Sequence, residues 1–271
     1  MADPTTDEPT DPDRLPEPPP DQQAELQVQD ELVDLGKPLV GQPIDEAQTD
    51  AEPDLSAERT VVHLVRHGEV HNPEGVLYGR LPGFHLSERG QEMARRLVEH
   101  FAPADLTTLI VSPLERTHDT ATPLSQARRL TWRVDDRVIE AGNKFEGQRF
   151  GVGDGAFRHP KVWWLLRNPF RPSWGEPYRD IAVRMLAAMA DARDAARGHE
   201  AVIVSHQLPV WIARSHVEKR RFAHDPRKRE CNLASVTSFT YAGDAIIEVG
   251  YAEPAADLVP ARVAKKFAAG A

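Results

Sequence analysis

Three apolar runs in this chain end in residues able to do chemistry. VVHLV (61–65) gives way to Arg66-His67-Gly68-Glu69, and AVIV (201–204) gives way to Ser205-His206. LTTLIV (106–111) stops at Ser112-Pro113. A guanidinium beside an imidazole suits reactions on an oxyanion. The planar arginine fork matches phosphate oxygens in pairs. A neutral imidazole can accept a phosphoryl group and so split one hard displacement into two easier ones. Positive charge around the transferring group stabilises its equatorial oxygens. The departing alkoxide needs a proton, which a buried or anion-facing carboxylic acid can hold near neutral pH because both surroundings raise its pKa. Chemistry of this kind needs no metal.

Such groups act only if the fold gathers them. The β-branched run 61–65 reads as a short buried strand, with 106–113 and 200–206 as two more. The segment 86–101 reads as a helix capped by Ser87, with Met93, Leu97 and Phe101 on one face. The segment 114–128 has helical character, with Pro123 expected to kink or end it. The clearest helix is 178–197, with Ile181, Met185, Ala188 and Met189 as its apolar stripe. ASVTSFTYAG and AIIEVGYAE read as a terminal hairpin turning at Gly243-Asp244. This order predicts an α/β fold: a three-layer Rossmann-like sandwich with a mostly parallel central sheet and helices on both faces. In such sheets ligands bind beyond the carboxyl ends of the strands, where the polar clusters fall. Gly68 would let the backbone turn there and another group approach.

Four blocks in order resemble the histidine phosphatase superfamily, in its phosphoglycerate-mutase-like branch: RHGE (66–69), LSERG (86–90), SPLERTHDTA (112–121) and VIVSH (202–206). The resemblance spans roughly 60 to 245. It implies that His67 is the nucleophile, that Arg66 and Arg116 grip the phosphoryl group, and that His206 completes the pocket. It places the proton donor at Glu140, with Asp135, Asp136 and Glu146 as rivals, and gives Asn72 a phosphate contact. It implies no cofactor and no metal. The chain departs from the family where Val70 replaces a hydroxyl residue and where Gln207 replaces a glycine after the second histidine. Spacing suggests one residue deleted after the tetrapeptide and one inserted near RLPGF, so that Leu86-Ser87 returns to register. The aromatic and basic segment 145–177, with Trp163, Trp164, Phe170 and Trp174 among Arg167 and Arg171, is expected to be a lid over the site. The basic run 218–230 reads as a solvated face or as a grip for an anionic substrate.

Composition divides the chain. Residues 1–58 hold 17 acidic residues, two basic ones, 10 prolines and no aromatic residue, which predicts a disordered acidic leader; a short helix over 22–35 also fits its spacing. The body, 59–271, then carries 25 acidic and 31 basic residues, a net charge of +6 that would attract an anionic substrate. Residues 254–271 read as a loose tail. The single cysteine, Cys231, excludes an internal disulfide, and no apolar run has membrane-spanning length. A cytoplasmic enzyme with a small phosphate ester as its partner is therefore expected, with no role in binding nucleic acid or membrane. Hydrolysis through a phosphohistidine is the leading reading. A phosphoglycerate-mutase-type transfer and a catalytically weak phosphate-ester sensor are the alternatives.

Overall fold

The computed structural model describes residues 56–143, 146–147, 175–222, 224 and 228–259. The acidic leader with its 22–35 helix, nearly all of the 145–177 insertion including its tryptophans, and the chain beyond 259 lie outside the described residues. The elements are β1 (Arg59–Arg66), α1 (Glu88–His100), β2 (Leu106–Val111), α2 (Glu115–Arg128), β3 (Trp132–Val134), a 3₁₀ turn at Asp136–Val138, α3 (Tyr178–Ala195), β4 (Glu200–Ser205), α4 (Gln207–Val217), β5 (Val236–Ala242), β6 (Ala245–Ala252) and a 3₁₀ turn at Ala256–Leu258. They form a six-stranded sheet in the order β3-β2-β4-β1-β5-β6. The first four of these strands are mutually parallel, and β5 and β6 add the antiparallel hairpin.

Apolar side chains fill both faces, as continuous hydrophobic strands require. On one face Val62, Leu64, Ile110 and Ile203 meet the α3 stripe Ile181, Met185, Ala188 and Met189 and the α4 residues Val210 and Ile212. On the other, Val65, Val111, Val202 and Val204 meet Met93, Leu97 and Phe101 of the α1 region and Leu124 of α2. Each such large side chain contributes about 1.5–3 kcal/mol when withdrawn from water. His63 lies in β1 as a packed residue: its ring nitrogens bond Ser238 Oγ at 2.8 Å and Glu200 Oε2 at 2.7 Å.

Three local expectations change. Helix α2 does not end at Pro123 but runs on to Arg128, because buried Ala121 and Leu124 flank the proline and packing outweighs the local penalty of roughly 3 kcal/mol. Helix α4 lies where the sequence suggested none. Pro209 sits in its first turn, where backbone N–H groups have no intrahelical acceptor and proline is tolerated. The start of the expected C-terminal tail is folded: Ala255 is buried, and Leu258 and Val259 pack on the α1 face.

Candidate active site

Strand register makes the site. Arg66 pairs with Ser205 and Val111 with Val204, so β1, β2 and β4 end level. His67 N–H then donates to Ser205 O (3.1 Å) and Ser112 N–H to Val204 O (3.0 Å). Arg66-His67, Ser112 and His206 therefore leave the sheet together, and the first turn of α2 supplies Arg116. All are buried: Arg116 and His206 at 0 % exposure, His67 at 2 %, Arg66 at 3 % and Glu140 at 4 %. The two imidazole rings stand 5.2 Å apart.

The tetrapeptide turn is held by contacts that explain the second block. Helix α1 begins against it. Ser87 caps that helix by accepting the Gly90 N–H, and its hydroxyl donates to Glu69 Oε2 at 2.6 Å. Arg89 pairs with the other Glu69 oxygen at 3.1 Å. A Cβ on Gly90 would lie 2.0 Å from Glu69 O, and one on Gly68 would lie 2.7 Å from Gly90 O. The two backbones touch where only glycines fit. Glu69 thus holds the turn together. An antiparallel bridge between Val70 and Leu86 closes the excursion that follows.

Thr120 links the first and third blocks. Its hydroxyl accepts the Gly68 N–H at 3.1 Å and donates to Arg116 O at 2.7 Å. His67 donates Nδ1–H to Gly68 O at 2.8 Å, which fixes the tautomer and leaves the Nε2 lone pair for chemistry. Burial, with the charges of Arg116 and Arg66, holds His67 well below its usual pKa of 6.5. Burial and the Arg116 charge do the same to His206, whose Nε2 bonds Ser112 Oγ at 2.7 Å. Both imidazoles are neutral at pH 7.

Backbone carbonyls anchor both arginines. Arg66 Nη1 donates to Cys231 O at 2.8 Å, and Arg116 Nη2 donates to Gly79 O at 2.6 Å. The Arg116 guanidinium lies 4.8 Å from the centre of the Tyr78 ring. Among the described residues neither arginine has a carboxylate partner. Among the described residues the buried donors Arg66 Nε and Arg116 Nε and Nη1 meet no acceptor, and buried guanidinium donors left unpaired favour an anionic partner.

Of the four carboxylates the sequence offered, Glu140 has the acid's environment. Burial pushes its carboxyl above the usual 4.5, against the pull of the Ala141 N–H and of Arg116, Arg229 and Arg66. Its loop is pinned carbonyl by carbonyl. Arg184 donates to Arg137 O and Ile139 O, Ser205 Oγ to Val138 O, and Arg80 Nε to Glu140 O, at 2.6–2.7 Å. Glu176 ties both arginines together, accepting from Arg80 at 2.9 Å and from Arg184 at 2.7 and 3.0 Å. By contrast, Asp135 is paired with Arg137 at 2.7 Å, which holds its pKa down. Glu146 lies against Gly79 and accepts the Asn143 N–H at 3.2 Å.

Asn72 is placed differently from the other expected site residues. Its side chain donates to Val76 O (2.8 Å) and accepts from Val76 N–H (3.0 Å), closing the 72–76 turn, so only its second amide hydrogen could serve an anion. Sequence reasoning missed Tyr78, Arg80, Thr120 and Arg184. Thr120 stood inside the third block without being singled out; the partners of the other three are fixed by strand register and loop packing, with no local motif to announce them.

Among the described residues no helix is long and apolar enough to cross a membrane. Residues 62–253 match the sequence profile of the histidine phosphatase superfamily, branch 1. The chain is 55% identical over 199 residues to the uncharacterized protein Rv0525 of Mycobacterium tuberculosis (strain ATCC 25618 / H37Rv), covering 73% of this chain and 98% of that one. It is 29% identical over 152 residues to phosphoserine phosphatase 1 of Hydrogenobacter thermophilus, covering 54% of this chain and 71% of that protein. Its fold resembles that of Bacillus stearothermophilus YhfR, with a TM-score of 0.58 at 23% identity over 69% of this chain and 94% of that structure. With four motif blocks meeting at one sheet edge and a profile match across the whole α/β body, the chain belongs to the histidine phosphatase superfamily.

Proposed function

We propose that the chain is a phosphomonoester hydrolase that works through a phosphohistidine on His67 and requires no metal. One observation carries the reading: two buried guanidiniums, with no carboxylate ion pair among the described residues, lie near two neutral imidazoles and a carboxyl whose burial favours its protonated form. In the first step His67 Nε2 attacks phosphorus and the ester P–O bond breaks. The departing alkoxide takes the Glu140 proton. In the second step Glu140, now a carboxylate, takes a proton from water. The hydroxide so formed attacks phosphorus, the P–N bond breaks, and inorganic phosphate leaves. Arg66, Arg116 and His206 hold the equatorial oxygens throughout. Asn72 contributes through its remaining amide hydrogen.

Because arginines supply the positive charge in this scheme, excess EDTA should leave turnover of a small phosphate ester within about twofold, and the product should be inorganic phosphate. The test is a phosphate-release assay with and without chelator, with a parallel search for an isomeric ester. Activity abolished by EDTA would refute metal independence. A phosphoglycerate converted to its isomer without phosphate release would make the chain a mutase.

A further inference from the structure

The basic run 218–230 sends one arginine back toward the site. Arg229 is half-buried and lies within electrostatic reach of Glu140, Arg66 and Cys231. Its Nε donates to His224 Nε2 at 2.8 Å and its Nη1 to Gln207 Oε1 at 3.3 Å. His224 uses Nδ1–H on Phe222 O, which leaves Nε2 as the acceptor that Arg229 requires. The His224 ring is itself braced by Tyr178 at 6.0 Å and Trp211 at 5.5 Å. Gln207 also donates to Cys231 O (3.3 Å), the carbonyl that receives Arg66 Nη1 (2.8 Å). A bonded chain thus runs from the phosphoryl-facing Arg66 through Cys231 and Gln207 to Arg229.

Two features separate this arginine from an ordinary surface ion pair. Among the described residues it has no carboxylate within ion-pairing distance; its two anchors are neutral. It is also held by Gln207, the residue that stands where the family resemblance led us to expect glycine. Arg229 is thus a third cation in reach of Glu140, near Arg66, and the hydrogen bonds that hold it among the described residues are made to neutral groups. Its natural counterpart is further negative charge on the substrate.

We propose that Arg229, oriented by Gln207 and His224, is a second anion-binding group of the site, and that it selects phosphate monoesters carrying another anionic group, a carboxylate or a second phosphoryl, on the organic part. The inference rests on reading the pocket as a phosphoryl-transfer site. The alternative is a brace that merely holds His224 and Gln207 in place, and a brace is indifferent to the charge of the substrate's tail.

Three esters of one skeleton separate these roles: glycerol 3-phosphate with a neutral tail, 3-phosphoglycerate with a carboxylate, and glycerol 1,3-bisphosphate with a second phosphoryl. In the wild-type chain, kcat/KM should favour at least one doubly anionic ester over glycerol 3-phosphate. In Arg229→Gln that preference ratio should fall by roughly 10- to 100-fold, the range for a hydrogen bond between charged groups, mainly through KM. Gln207→Gly, a milder change, should lower the ratio in the same direction. Loss of preference for the carboxylate or for the bisphosphate supports the proposal and identifies the second group. A common loss on all three esters, or an unchanged ratio in both variants, overturns it. If the wild-type chain cleaves none of the three, the phosphoryl-transfer reading fails, and Arg229 is judged by calorimetric titration of the same esters into the His67→Ala chain with and without Arg229→Gln. Binding there that prefers a second anion only when Arg229 is present sustains the site; equal binding removes it.

Discussion

Replacing His67 by alanine should lower kcat by on the order of 10⁴-fold or more, because it removes the atom that forms the covalent bond and not a helper of it. The fold should survive. His67 lies after the last residue of β1, and its ring faces the rings of Tyr78 and His206 at 6.4 and 5.2 Å. Its removal also leaves the Arg66 and Arg116 anchors on Cys231 O and Gly79 O intact. The variant should therefore keep a wild-type circular-dichroism melt and still bind inorganic phosphate. A variant that retains activity within tenfold of wild type would exclude His67 as the nucleophile.

The second large effect belongs to Glu140 and depends on the leaving group. Glu140→Gln should slow hydrolysis of an alkyl phosphate by about 10²–10⁴-fold, the range for general acid catalysis. Its kcat/KM for p-nitrophenyl phosphate should fall far less, since that constant covers only transfer to His67 and the phenolate departs with little need of a proton; kcat for both esters should fall together where loss of the base slows hydrolysis of the phosphohistidine. An equal loss of kcat/KM on both substrates would mean that Glu140 does not protonate the leaving oxygen. The pH profile carries the same assignment. The first step needs His67 neutral and Glu140 protonated, a combination that the ordinary values of 6.5 and 4.5 would make scarce at every pH. The structure moves both in the required direction. Burial and two arginines lower His67, and burial raises Glu140. Activity of the wild-type chain should thus fall at high pH as Glu140 ionises above its ordinary value. It should fall at low pH only when His67 protonates, below 6.5. In Glu140→Gln the alkaline limb should vanish.

How far the sequence foretold this arrangement depends on the range of each interaction. The strands β1, β2 and β4 and the helix α3 were legible because hydrophobic periodicity is a local signal and their cores follow it. His67, Arg66 and His206 were legible because strand ends set their positions. Helix α4 was not, since Gln207-Leu208-Pro209 carries a breaker in the turn that tolerates one. Of the two outcomes expected at Pro123, ending is excluded, because tertiary burial of Ala121 and Leu124 carries the helix through it. The family resemblance pointed to Glu140, but the physical grounds for preferring it to Asp135 lie in the coordinates: an Arg137 pair on one and burial of the other. Arg80, Arg184 and Arg229 act on groups up to about a hundred residues away, as with the Arg80–Glu176 pair, and no spacing rule reaches that far. Asn72 was legible as a residue of interest but not in its engagement, which the 72–76 turn decides.

The proposed mechanism requires one covalent bond between His67 Nε2 and phosphorus. Rapid-quench mixing of the chain with a ³²P-labelled ester, followed by alkaline peptide mapping, reads it directly. The prediction is an acid-labile, base-stable label that appears within the first turnover, approaches one per active site and maps to the peptide containing His67. A chain that turns over the ester with no label on that peptide, or with the label equally present in His67→Ala, would contradict it.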